Sequence, residues 1–103
     1  MENLSNERWN ELLSQSDNYV VLDVRTPQEC DEGIIEEAIQ INFLASHEFV
    51  SSLENLDKDK SYFIYCRSGN RSAQACNYMN MKGFTTYNLM NGIIGWDGKI
   101  VSN

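Results

Sequence analysis

A chain of 103 residues, 42% hydrophobic and 11% aromatic, holds apolar material for one modest core and no length for a second module, so one domain over residues 1–103 is expected. A formal net charge of −7 argues against a nucleic-acid binder, since no basic stripe could displace phosphate counterions, and no apolar stretch approaches the length of a membrane span. Cys30, Cys66 and Cys76 form no Cys-x-x-Cys pair, and Met1 to Asn18 is polar and acidic, unlike a secretory signal. Both features point to the cytoplasm and to a working thiol rather than a disulfide framework.

Leu4, Trp9, Leu12 and Leu13 recur at near-helical spacing, which predicts a short amphipathic first helix ended by Ser16-Asp17-Asn18. Tyr19 to Val24 is an apolar run broken by one acid, as expected for a parallel strand covered on both faces. Asp23 and Arg25 bracket its end. Isolated charges beside strands more often anchor loops than act in chemistry, so the pair reads first as an anchor and second as support for a catalytic mouth. Thr26-Pro27-Gln28-Glu29 opens a helix by two signals, proline at the first helical position and a Thr26/Glu29 capping box, and Gly33 closes it.

Ala38 to Asn42 is expected to be a short strand. Ser46 then caps a helix carrying Phe49, Val50, Leu53 and Leu56 on one face. His47, the only histidine, falls in that helix's first turn, where a surface position is expected rather than a pairing with a catalytic cysteine. Leu56 to Lys60 reads as a solvated turn. Further on, Ala73, Cys76 and Met79 are spaced as a helix running to Gly83, which makes Cys76 a small core residue rather than a resolving thiol. Thr85 to Leu89 is β-rich and should be the last sheet strand. Met90-Asn91-Gly92 turns into a short final helix with Ile93 and Trp96 facing inward, Trp96 as core more than as a pocket wall. Strands alternating with helices predict an α/β fold, a central parallel sheet with helices on both faces and sites at the strands' carboxyl ends.

Ser61-Tyr62-Phe63-Ile64-Tyr65 is a buried strand by composition, Cys66 stands at its end, and Arg67-Ser68-Gly69-Asn70-Arg71 is a polar turn before the helix opened by Ser72. A strand, a tight loop and a helix in that order aim backbone N–H groups and the positive helix end into one hollow. Cys66 at its base should be held partly as thiolate, favoured by those dipoles and by Arg67 and Arg71. Gly69 meets the turn's need for a conformation without a Cβ, and Ser68 and Asn70 shape the mouth.

Cys66-Arg67-Ser68-Gly69-Asn70-Arg71-Ser72 resembles the active-site loop of rhodanese-type sulfurtransferases. Two further patches resemble the family in the same order, Val21 to Glu29 and Asn88 to Trp96. Departures are Gly33-Ile34-Ile35 where the family shows Gly-His-Ile, Glu37-Ala38 in place of its Gly-Ala step, and Cys30 where it often carries an aromatic; all read as changes of packing and surface. The resemblance implies a rhodanese-like fold and a Cys66 nucleophile, with Arg67, Ser68, Gly69, Asn70, Arg71 and Ser72 binding substrate. Arg67 would orient the anion. Arg71 could do the same or tie the loop to the following helix.

It also implies double displacement without metal or organic cofactor. Cys66 takes a sulfane sulfur from a small anionic donor, thiosulfate or a polysulfide or persulfide, and passes it to cyanide, a thiol or a protein cysteine. Four residues separate Cys66 from Arg71, one fewer than in cysteine phosphatases, so the ring suits a single extra sulfur better than a tetrahedral phosphate or arsenate. Two alternatives stay open: a protein-to-protein relay or binding module with little thiosulfate activity, marked by an exposed apolar patch beside the loop, and an arsenate reductase or phosphatase.

Overall fold

The structure is a computed structural model and describes residues 1–103. Five strands form one parallel sheet: β1 (Glu2–Leu4), β2 (Tyr19–Asp23), β4 (Ile39–Gln40), β5 (Ser61–Tyr65) and β6 (Thr85–Leu89), in the spatial order β1-β6-β5-β2-β4. Strand β3 (Ile34–Ile35) lies outside it, paired antiparallel with β7 (Ile100–Val101). Helices α1 (Asn6–Gln15), α2 (Pro27–Cys30), α3 (Ser46–Leu53) and α4 (Asn70–Met81) connect the strands, and a 3₁₀ turn over Ile93–Gly95 follows β6.

Side chains alternate across a strand, and in β5 that alternation sorts two cores. Tyr62, Ile64 and Cys66 join Leu22, Val24, Phe49, Ala75, Cys76 and Met79 beneath α3 and α4. Phe63 and Tyr65 join Trp9, Val21, Ile35 and Leu89 on the α1 side. The expected layers are therefore present, with Cys66 facing α4. Cys30 and Cys76 are fully buried, and Trp96 packs edge-on against Trp9 at 5.4 Å between ring centroids.

Several boundaries differ from the expectation. Leu4 belongs to β1, not α1, because its carbonyl accepts from Met90 N at 2.9 Å in a parallel pairing with β6; Ser5 caps the helix instead. Ala45, not Ser46, is the N-cap of α3, and it makes no side-chain cap bond. Only Phe49 and Leu53 of that helix are buried; Val50 turns outward and Leu56 lies past its end. Helix α4 begins at Asn70, two residues before Ser72, with Gly69 as its N-cap. Glu37 adopts a left-handed φ of 71°, which an L-residue holds only under strain. No helix is long and apolar enough to cross a membrane.

Candidate active site

Cys66 follows directly on β5, the middle strand of the sheet, at its carboxyl end, where α/β sheets place their sites. The loop from Arg67 to Gly69 curls over the thiol and enters α4. Gly69 N–H donates to Cys66 Sγ at 3.1 Å, and the Ser72 hydroxyl lies within donating reach of both Cys66 Sγ (3.3 Å) and the Gly69 carbonyl (3.2 Å). Cys66 is only 1% exposed, so the sulfur lies beneath its loop. Burial opposes ionisation, but the Ser72 hydroxyl and the amides of Ser72, Gly69 and Ser68 outweigh it and hold the thiol below its ordinary value. Neutral dipoles are thus the leading support for the anion, and Arg71 lies close enough to interact with it electrostatically.

The loop keeps its shape because a second segment presses on it. Gly69 has φ +103°, and a Cβ there would stand 2.1 Å from the Met90 carbonyl oxygen. Gly92 has φ +64°, and its Cβ would stand 2.2 Å from the Arg67 carbonyl. Ile93 N donates to Cys66 O at 3.0 Å and Ile94 N to Arg67 O at 3.1 Å, so the turn after β6 zips to the loop by backbone bonds. Buried Asn88 on β6 adds a side-chain tie, donating from Nδ2 to the Gly69 carbonyl at 3.2 Å and to Asn3 Oδ1 at 2.8 Å.

Comparison with known proteins places this strand, loop and helix in a family. The model of the rhodanese-like domain covers residues 6–99. The chain belongs to the rhodanese-like domain family. A putative sulfurtransferase of Bacillus subtilis, YtwF, is 33% identical over 96% of this rhodanese-like chain and 93% of its own length. A sulfurtransferase of Allochromatium vinosum is 36% identical over 90% of this chain and 85% of its own. The crystal structure of a rhodanese-like domain protein from Staphylococcus aureus superposes with a TM-score of 0.85 at 26% identity, covering 100% of this chain and 99% of that one.

Within this rhodanese-like site the arginines have different surroundings. Arg67 is exposed at the mouth. Arg71 turns to α2, not to α4 as the tying alternative supposed: its Nη1 and Nη2 donate to Glu29 Oε1 and Oε2 at 2.7 and 2.8 Å. Glu29 also completes the expected capping box with Thr26, and the Arg71 contacts above all hold its carboxyl down to about 2. Arg25 and Asp23 form a buried ion pair on the other face of the sheet from Cys66. Arg25 Nη2 donates to the Gly33 carbonyl at 2.6 Å, and the Tyr65 hydroxyl donates to Asp23 Oδ2 at 2.6 Å while accepting from Ile35 N. The pair thus ties β2, β5 and the loop after α2, in keeping with an anchor. His47 is exposed in the first turn of α3.

Sequence reasoning missed three of these groups. Asn88 carried a signal: asparagine is depleted in strands, so one inside a β-rich run asks for a purpose. Tyr65 carried another, since a buried phenol needs a partner. Glu29 was read only as a capping residue, and nothing local marks its bond to Arg71, 42 positions away.

Proposed function

We propose that the protein is a sulfurtransferase that moves a sulfane sulfur from thiosulfate, a polysulfide or a persulfide to a thiophilic acceptor through a persulfide on Cys66. The observation that carries this reading is the Cys66 sulfur at the positive end of α4, accepting from Gly69 N–H at 3.1 Å with the Ser72 hydroxyl 3.3 Å away. The Cys66 thiolate attacks the outer sulfur of thiosulfate, the old sulfur–sulfur bond breaks, and sulfite leaves with its electron pair. The negative charge moves to the outer sulfur of the new persulfide, where the amides of residues 67–72 and the exposed Arg67 receive it. Cyanide, a thiol or a protein cysteine then attacks that outer sulfur and returns the Cys66 thiolate. Each displacement balances its own electrons. The four-residue span from Cys66 to Arg71 weighs against phosphate or arsenate chemistry, and three unpaired cysteines support a reducing, cytoplasmic setting.

A specific observation favours a protein cysteine among the acceptors. Ile94, 63% exposed, and Met90, 42% exposed, belong to the segment zipped to the Cys66 loop. Exposed aliphatic groups beside a recessed thiol suit a partner surface better than they suit a small anion.

Intact-protein mass spectrometry after incubation with thiosulfate tests the first step. The expected result is a gain of one sulfur atom, removed by cyanide or thiol and absent from Cys66→Ser. An adduct from persulfide donors alone would move the protein to the relay reading, and no sulfur adduct from any donor would overturn the proposal.

A further inference from the structure

The carboxyl end of the sheet carries three arginines, and two of them are neutralised. Asp23 engages Arg25 through three side-chain hydrogen bonds, and Glu29 takes Arg71 in a two-pronged pair. Glu29 cannot swing away cheaply, because its Oε1 also accepts from the amide and hydroxyl of Thr26, each at 3.1 Å. Arg71 follows Asn70 into the first turn of α4 and lies within electrostatic reach of Cys66, so its pairing bears directly on what the hollow attracts. Arg67 alone has no carboxylate partner, and it stands in solvent. The remaining attraction for an anion comes from uncharged amides and one hydroxyl, in a chain of net charge −7. Such a mouth holds one negative charge well and a second one poorly.

We propose that Glu29 is a specificity-determining residue: by holding Arg71 it leaves Arg67 as the only free charge at the mouth of the Cys66 loop and selects singly charged or neutral sulfane donors, such as thiosulfonates and alkyl persulfides, over the thiosulfate dianion. This rests on the sulfurtransferase reading above and deepens it. Methanethiosulfonate is the discriminating probe, since it is thiosulfate with a methyl group in place of one charged oxygen. Cys66 thiolate takes its outer sulfur and methanesulfinate leaves with the electron pair, as sulfite does from thiosulfate. Removing the Glu29 charge acts twice as strongly on a dianion as on a monoanion, so the ratio of the two kcat/KM values isolates charge. Changes in thiol reactivity, loop order or folded fraction affect both donors alike and cancel.

The test measures kcat/KM for thiosulfate and methanethiosulfonate, with cyanide as common acceptor, in the wild type and three variants. Wild type is expected to prefer methanethiosulfonate. Glu29→Gln, whose amide oxygen can still accept from Thr26, should raise the thiosulfate-to-methanethiosulfonate ratio roughly fivefold, the scale of one unit charge acting through water. Arg71→Gln, which leaves Glu29 uncompensated, should lower it by a similar factor. The double variant, again neutral, should restore the wild-type ratio. A ratio that Glu29→Gln leaves unchanged would overturn the proposal. So would a double variant as poor with thiosulfate as Arg71→Gln, because Arg71 would then bind the dianion itself. Sulfur transfer from neither donor in the wild type, by contrast, would remove the sulfurtransferase reading.

Discussion

Three cysteines of one chain meet two different fates, and the difference lies in what surrounds each sulfur. Burial dominates at Cys30 and Cys76 and pushes their thiols up to about 11 and about 12, so both remain protonated at any working pH. Cys66 is buried too, yet its sulfur faces a hydroxyl and a fan of amides, and its thiol moves the other way. The first thiolate to form as pH rises therefore belongs to Cys66. A pH titration of thiolate ultraviolet absorbance should show it with a midpoint below that of a free cysteine, and Cys66→Ala should remove that step alone. Ser72→Ala deletes the side-chain donor and should move the midpoint upward. Less thiolate at neutral pH, and less stabilisation of the attacking anion, should slow persulfide formation roughly tenfold. Midpoints that coincide in wild type and Ser72→Ala would assign the activation to the backbone amides alone.

At the scale of elements, the Cys66 loop is a joint between two strands as much as a turn between β5 and α4. The segment after β6 supplies Ile93 and Ile94 N–H groups to the carbonyls of Cys66 and Arg67, and Gly92 permits the close approach. Gly92→Ala would drive a Cβ into the Arg67 carbonyl and force a left-handed φ on a residue that resists it. We expect a loss of about 2 kcal/mol or more in chemical denaturation, and a fall in sulfur transfer larger than the unfolded fraction explains. Activity per folded molecule equal to wild type would mean that this buttress holds the fold but not the site. Such a joint was only half legible in the sequence. Local patterns marked β2, β5, β6, the capping box and the glycine-bearing turn, because each is decided by neighbours within a few residues. Strand β1 and the β3–β7 pair left no such trace: two or three residues become strands only when Tyr87 to Leu89, or Ile100 and Val101, arrive beside them. The same holds for Arg71. Its charge was visible and its partner was not, since Glu29 had already been accounted for by a local bond to Thr26.

For the whole molecule, the question is how far its charge reaches. Fifteen carboxylates against eight lysines and arginines surround a site proposed to receive anions. The chain measures 31 × 30 × 21 Å, so nearly every charge lies within about 30 Å of Cys66, the screening length near 0.01 M salt, but few lie within the roughly 8 Å that applies at physiological salt. At low ionic strength the full −7 should therefore repel an approaching dianion, whereas at physiological salt the amides and Arg67 act with little opposition. The expected outcome is that kcat/KM for thiosulfate rises several-fold as salt increases from about 0.01 to 0.15 M and that methanethiosulfonate rises less. Chloride competing at the loop would slow all anionic donors and give the opposite slope, and repeating the series with a bulkier anion separates competition from screening. If thiosulfate transfer falls with salt whatever anion supplies it, the local positive field extends well beyond the loop, and the pairing of Arg71 with Glu29 leaves more free charge at the mouth than the geometry implies.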